Sequence, residues 1–541
     1  MEQKKTTPKR CSGILVHPTS FPSPYGIGDL GKTAYDFIDF LKKANQTLWQ
    51  CLPLGPTGFG DSPYQAYSAF AGQPLLISPD KLIELDLLSP EDIAHLPDWN
   101  KNRVEYEKIT VFKTAMLKKA YKNFLLVTDL ALRNEYEVFC QEHAFWLTDY
   151  ALFMALKDDQ NGKKWTEWED KYKNPTSETK EKALKDLESS VNYYRFVQFI
   201  FFKQWYELKK YANENDVQII GDIPIFVSPD SSDAWANKEL FQLDDEGYPT
   251  VIAGVPPDYF SKTGQMWGNP LYNWDYHKKT GYAWWIARIR HQLTQTDIFR
   301  IDHFRGFEAY WAIPADEKTA INGKWVKGPG NDFFDHVLKA FEGDELPIIA
   351  EDLGIITPEV EALRDDYNLP GMKILQFAFN ELNDGAYYPY NYVENCVCYT
   401  GTHDNDTTVG WYQNATPQSQ DKARRYLSCD GSNIHWDMIR LAMGSVARYV
   451  IFPLQDVLGL DSNHRMNVPG VGIGNWSWRF KENDIQYWMP DYLKDLSKVF
   501  WRNQKPEAPK KDTMKESPDN PSEAPADETS KSSADQPAES E

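Results

Sequence analysis

The 541-residue sequence predicts an α/β fold, a (β/α)8 TIM barrel with inserted, largely helical subdomains. Eight short β-branched or aromatic runs recur along the chain, most of them separated by segments of helical period. Three of these runs end at or just before an acid with a glycine or polar turn close by, and the carboxyl ends of parallel barrel strands are where reacting groups lie. An open doubly wound sheet is the alternative architecture for the same pattern.

In chain order, Ser12-Gly13-Ile14-Leu15-Val16 is the first strand, 33–44 an amphipathic helix, and 47–54 the second strand. The loop 55–72 has too many glycines and prolines for regular structure. From about 79 to 211 the text changes to long charged segments of helical period, expected as helices over 105–121, 135–157 and 191–211. A plain βα connection takes far fewer residues, so this is an insertion whose last helix returns to the barrel. Val217 to Pro224 resumes the strand pattern and carries Asp222. A second excursion, about 226–280, is rich in turn formers and aromatics, and loops this long tend to be functional.

A helix over 282–294 leads into Ile298-Phe299-Arg300-Ile301-Asp302-His303-Phe304-Arg305-Gly306, where an apolar run ends in a carboxylate flanked by two arginines. Taken by itself this run also reads as a structural Arg–Asp ion pair. Two further runs repeat its plan: Ile348-Ile349-Ala350-Glu351 and Val397-Cys398-Tyr399 leading to His403-Asp404. Helices over 358–367, 418–427 and 436–443 and strands over 372–379 and 448–454 complete eight strands. The expected organisation is a catalytic barrel over 1–503 with insertions at about 79–211 and 226–280, then a disordered acidic tail over 504–541. From Lys505 onward the chain has no Trp, Tyr, Phe, Leu, Ile or Val and cannot bury a core. Composition does not specify a protein partner for that tail.

A net charge of −21 excludes nucleic acid as partner, since phosphates require a basic surface. Aromatic content of 14% suits a sugar cleft, where rings pack on the apolar faces of pyranoses. The six cysteines show no metal or redox spacing and read as reduced, mostly buried thiols, with Cys396 and Cys398 packing on one strand face. The apolar run after the basic N-terminus stops at Val16, too short for a signal peptide, and no run of 18 apolar residues exists, so no membrane partner is expected. A cytoplasmic enzyme is the default.

Two carboxylates with separated pKa values are what glycosidic cleavage needs. Asp302 suits the ionised partner, because Arg300 points to the same side of the strand and favours the charged form. Glu351 suits the proton donor, because its approach through Ile348, Ile349 and Ala350 is apolar. Asp404, beside His403, suits hydrogen bonding to sugar hydroxyls. Metal ligation by Asp302-His303 or His403-Asp404 is disfavoured because adjacent strand residues face opposite ways. Gly26-x-Gly28-x-x-Gly31 has dinucleotide spacing but follows a Pro-rich loop rather than a strand.

At these residues the chain resembles the amylomaltase or disproportionating-enzyme family, the 4-α-glucanotransferases of glycoside hydrolase family 77. The likeness runs from His17-Pro18-Thr19-Ser20 and Ser23-Pro24-Tyr25-Gly26-Ile27-Gly28-Asp29-Leu30-Gly31 to Gly474-Asn475-Trp476-x-Trp478-Arg479, nearly the whole ordered chain. It implies a retaining double displacement on α-1,4-glucans, with Asp302 as nucleophile, Glu351 as acid/base and Asp404 as transition-state stabiliser. Sugar contacts are implied for Tyr64, Asp222, Asp258, Trp267, Arg300, His303, His403 and Asn475. The resemblance implies no metal and no organic cofactor, and maltooligosaccharides with glycogen or starch as partners. Gln73 stands where the family pattern has asparagine, and the acidic tail is not a family feature. An α-glucan hydrolase of the same barrel class and a non-catalytic glucan-binding protein are the competing functional readings.

Overall fold

The structure, a computed structural model, describes residues 10–504 except 258–260, 344 and 381–384. The tail beyond Gln504 therefore lies outside the described residues, as does Asp258. Twelve strands are present among the described residues: β1 (Cys11–Leu15), β2 (Leu48–Gln50), β3 (Gln218–Pro224), β4 (Val251–Val255), β5 (Gln265–Pro270), β6 (Ile298–Asp302), β7 (Ala309–Pro314), β8 (Lys324–Lys327), β9 (Ile348–Ala350), β10 (Gly371–Ile374), β11 (Cys396–Tyr399) and β12 (Tyr449–Pro453). Eight of them form one parallel sheet in the order β10-β11-β12-β1-β2-β3-β6-β9. The Ala350 N–H donates to the Pro370 carbonyl at 3.0 Å and brings the last strand back to the first, closing the barrel. The eight-stranded barrel is thus the observed fold, rather than an open sheet.

Buried β-branched and aromatic residues on both faces account for these short strands, as expected where helices cover a parallel sheet. Close strand approach fixes some positions: a Cβ on Gly13 would lie 2.0 Å from the Leu48 carbonyl of the neighbouring strand. The helix Lys32–Lys43 buries Phe37, Ile38, Phe40 and Leu41 between the first two strands.

Between β2 and β3 the chain forms a series of helices that ends in Glu188–Glu214, which runs directly into β3. This last helix buries Phe196, Phe199, Ile200, Phe202, Trp205 and Leu208, and Trp205 donates its indole N–H to the Gln295 carbonyl at 2.9 Å. It belongs to the barrel wall while its neighbours stand outside. The single helix expected over 135–157 is instead two, Leu130–Glu142 and Ala144–Asp159, broken at His143. The break lets Phe139 and Trp146 both reach Phe202, at ring distances of 5.7 and 6.0 Å. Periodicity alone does not encode a bend imposed by packing on another helix.

Two other expectations change. The strand expected over 372–379 stops at Ile374 and continues as the short helix Leu375–Ala378, because a short apolar run fits a buried strand and a buried helix equally. The excursion over 226–280 contributes β4 and β5 to a four-stranded antiparallel sheet, in the order β5-β4-β7-β8, which sequence reading missed. Its glycines and prolines read as loop, but Gly254 sits in β4 because a Cβ there would meet the Gln265 carbonyl at 2.1 Å. The six cysteines are free and four of them are buried.

Arg502 closes the base of the barrel. Fully buried, it donates from Nε to the Met443 carbonyl at 2.8 Å and from its terminal nitrogens to the carbonyls of Cys11, Ala447 and Ser445 at 3.2, 2.9 and 2.9 Å. Replacing it leaves buried acceptors short of donors, so Arg502→Met is expected to lower stability by about 2–3 kcal/mol. The check is the urea midpoint of full-length protein; an unchanged midpoint rules the latch out.

Candidate active site

The carboxyl ends of β3, β6, β9 and β11 converge with the loop carrying Tyr64. Asp302 is the last residue of β6, Glu351 follows β9 directly, and Asp404 lies five residues beyond the end of β11. The pairing of Phe299 with Ile348, Arg300 with Ile349 and Ile301 with Ala350 sets Asp302 and Glu351 side by side at the same height.

Arg300 is the centre of the site. Its side chain, 4% exposed, grips Asp222 with two hydrogen bonds, Nε to Oδ1 at 3.1 Å and Nη2 to Oδ2 at 2.9 Å, and the same Nη2 reaches Asp302 Oδ1 at 2.8 Å. Burial by itself disfavours the guanidinium charge, but Asp222 and Asp302 outweigh it and hold Arg300 charged. The Tyr64 hydroxyl donates to Asp222 Oδ2 at 2.7 Å. With its proton committed there, the Tyr64 oxygen accepts from Arg300 Nη2 at 3.3 Å and from His403 at 2.9 Å, which assigns His403 the Nε2–H tautomer. The same Nε2 lies 3.3 Å from Asp404 Oδ1.

Exposure separates the acids. The Asp222 side chain is 0% exposed and its oxygens are taken by Arg300 and Tyr64, whereas Asp302 is 34% and Asp404 47% exposed. Asp222, expected as a sugar contact, is enclosed in this structure and is the buried counter-ion of Arg300. The Asn467 amide holds Asp404 Oδ1 at 2.7 Å. Nothing in the sequence singles out Asn467, since it lies in an irregular loop and reaches Asp404 only in three dimensions.

Glu351 is held by backbone: Oε2 accepts from the His303 N–H at 2.7 Å and Oε1 from the Leu353 N–H at 2.9 Å. Burial, then the neighbouring Asp302 charge, push its carboxyl up to about 8, against the opposing effects of Arg300 and these two N–H groups. Burial also raises the Asp302 carboxyl, with Arg300 working against it. One proton shared by the pair therefore rests on Glu351 at neutral pH, because Arg300 binds Asp302 directly.

His303 takes the left-handed conformation, φ 54°, as the chain turns out of β6. Burial holds its imidazole down to about 3, hence neutral, and Trp267 on β5 meets it edge-on at 4.8 Å. The structure brings Tyr64, Asp222, Trp267, Arg300, His303 and His403 together around the acids. Asn475 differs: its Oδ1 accepts from the Val468 N–H at 3.0 Å and its amide donates to the Val468 and Val471 carbonyls at 3.2 and 2.8 Å, so its polar atoms brace their own loop.

A family profile described as 4-alpha-glucanotransferase matches residues 16–485. The chain belongs to the 4-alpha-glucanotransferase family. It is 52% identical over 501 residues to the 4-alpha-glucanotransferase of Synechocystis sp., covering 91% of this chain and 98% of that protein. The Thermus thermophilus 4-alpha-glucanotransferase is 48% identical over 488 residues, covering 88% of this chain and 96% of its own length. Among solved structures, the amylomaltase from Streptococcus agalactiae in complex with acarbose matches with a TM-score of 0.88 at 40% identity, over 91% of this chain and 100% of that one. Similarity to this family thus covers the barrel and both insertions.

The two partners of Arg300 differ in what their loss exposes. Asp222→Asn leaves a buried cation with its main counter-charge gone and is expected to cost about 3 kcal/mol. Asp302→Asn removes a one-third exposed carboxylate and leaves the Asp222 pair intact, for about 1 kcal/mol or less. Thermal unfolding of both variants tests the ranking; equal losses contradict the buried counter-ion assignment.

Proposed function

We propose that this protein is a 4-α-glucanotransferase that moves α-1,4-glucan segments between maltooligosaccharides, or chains of glycogen or starch, by a retaining double displacement. The observation that carries this reading is the unequal pair at the ends of β6 and β9, with Asp302 on Arg300 and Glu351 keeping the proton.

In the first step an Asp302 oxygen attacks the anomeric carbon while Glu351 gives its proton to the departing glycosidic oxygen. The bond to the leaving chain breaks as the glycosyl–Asp302 ester forms. Glu351, now charged, takes the proton of an incoming 4-hydroxyl, whose oxygen attacks the same carbon and releases Asp302. Arg300 steadies the Asp302 charge at the start and end of the cycle. Asp404, exposed and fixed by Asn467, binds sugar hydroxyls next to the reacting ring, where stronger bonds in the transition state favour ring distortion. Tyr64, His403, Trp267 and His303 line the cleft as sugar contacts. Arg300, Asp222 and Asn475 act through groups they hold in place.

No helix among the described residues is long and apolar enough to cross a membrane. We place the enzyme in the cytoplasm on its free cysteines, four of them buried.

Incubation with maltotriose is expected to give glucose and a ladder of longer chains; glucose and maltose alone indicate a hydrolase, and binding without turnover a glucan-binding protein. Asp302→Asn should lose activity with every donor, on the order of a thousandfold or more. The pH dependence has a defined sign. Glu351 must be protonated to act as acid, and with its carboxyl at about 8, kcat/KM should fall as pH rises through that value. In Glu351→Gln this basic limb disappears with the activity.

A further inference from the structure

Arg305, the second arginine of the run at the end of β6, has no part in the mechanism above. Only 6% exposed, it forms no salt bridge among the described residues. Its guanidinium carbon instead lies over the Trp325 ring of β8, 3.9 Å from the ring centre, and its Nη1 donates to the Ile355 carbonyl. Trp325 is itself set by Trp311, its cross-strand partner at a ring distance of 5.2 Å. Glu308, itself paired with Lys327, lies near enough to favour the Arg305 charge but forms no ion pair with it, so the buried planar head is met by the aromatic face and the carbonyl.

What the hydrogen bond holds is the loop that follows Glu351. Asp352 is anchored by Arg364 at 2.6 Å and by the Met372 N–H at 2.6 Å, and Thr357 begins the next helix. Between them, among the described residues, the bond from Arg305 is the only one reaching Leu353–Ile356 from another element. This stretch includes Gly354 at φ 89°, a conformation that glycine adopts freely. The Leu353 N–H within it donates to Glu351 Oε1. The turn carrying Arg305 also supplies the other donor, the His303 N–H to Glu351 Oε2. One turn thus holds Glu351 directly at its start and the Glu351 loop at its end.

We infer that Arg305, stacked on Trp325, is a positioning residue that clamps the 353–356 loop and so sets the orientation of the Glu351 carboxyl for proton transfer. The inference rests on the reading of Glu351 as acid/base. The four-stranded sheet is then the fixed mount of the clamp.

The test separates a step that needs the acid from one that does not. Transfer from maltotriose requires protonation of the leaving oxygen, whereas first-turnover glycosylation by α-glucosyl fluoride does not, because fluoride departs unaided. Full-length Arg305→Met is expected to lose about a hundredfold in kcat/KM for maltotriose, the scale of a misplaced catalytic group, while the fluoride burst stays within about threefold. Arg305→Lys, which keeps a donor but not the flat stack, should fall between. Trp325→Leu, at a partly exposed position, should show the same selective loss and serves if Arg305→Met does not fold. Parallel loss of both reactions in Trp325→Leu and Arg305→Met, or no loss in either, overturns the inference. Glu351→Gln distinguishes the two levels: it must itself show the split. If it does and the Arg305 and Trp325 variants do not, the clamp alone fails; if it loses both reactions, the acid/base reading fails and the clamp with it.

Discussion

The site is organised by one buried guanidinium between two carboxylates of different exposure. Arg300 is almost fully buried, so it must be met by charge, and Asp222 provides that from the neighbouring strand. Asp222 is fully enclosed and takes two of the guanidinium's bonds, one of them from Nη2, and the same Nη2 reaches Asp302 at the open end. Tyr64 and His403 extend the same constraint: once Asp222 has claimed the Tyr64 proton, the Tyr64 oxygen can only accept, and His403 Nε2 must donate to it. The order set at the barrel floor thus reaches as far as His403, fixing which of its nitrogens carries the proton beside Asp404.

The second controlling effect is desolvation, and it acts unequally. Glu351 emerges from three buried residues and is bonded by two backbone N–H groups that favour its charged form, yet burial and the charge of Asp302 prevail. The proton is therefore kept where the surroundings are least able to stabilise a charge, which is the condition for a general acid near neutral pH.

Much of this was legible in the sequence because it depends on alternation along a strand. Arg300 and Asp302 share a face by period two, and the apolar approach to Glu351 is written in Ile348, Ile349 and Ala350. The barrel followed from the spacing of strand-like runs. What was not legible depends on contacts between distant segments. Asp222 looked like a rim acid because β3 ends near it, but its place under Arg300 is set by the β3–β6 register. Asn475 looked like a cleft residue, and only the path of its loop shows its amide turned back on Val468 and Val471. The antiparallel sheet was hidden because glycine and proline serve strands packed too closely for a side chain as well as turns. Asp258 falls outside the described residues, and no signal marked Asn467.

The way the barrel closes has a mechanical meaning. β9 is three residues long, is laddered to β6 and meets β10 through the Ala350–Pro370 hydrogen bond. The seam between β9 and β10 is closed outside the ladder, by that bond and by the Met372 N–H to Asp352, on the side of Glu351 away from Asp302. Beyond the ladder, the Glu351 N–H bonds the Ile301 carbonyl and the Phe304 N–H bonds the Glu351 carbonyl, so the two acids travel as one rigid tab. The spacing between Asp302 and Glu351 is therefore set by main-chain bonds on both sides of the pair, and a shift of either strand end carries the other with it.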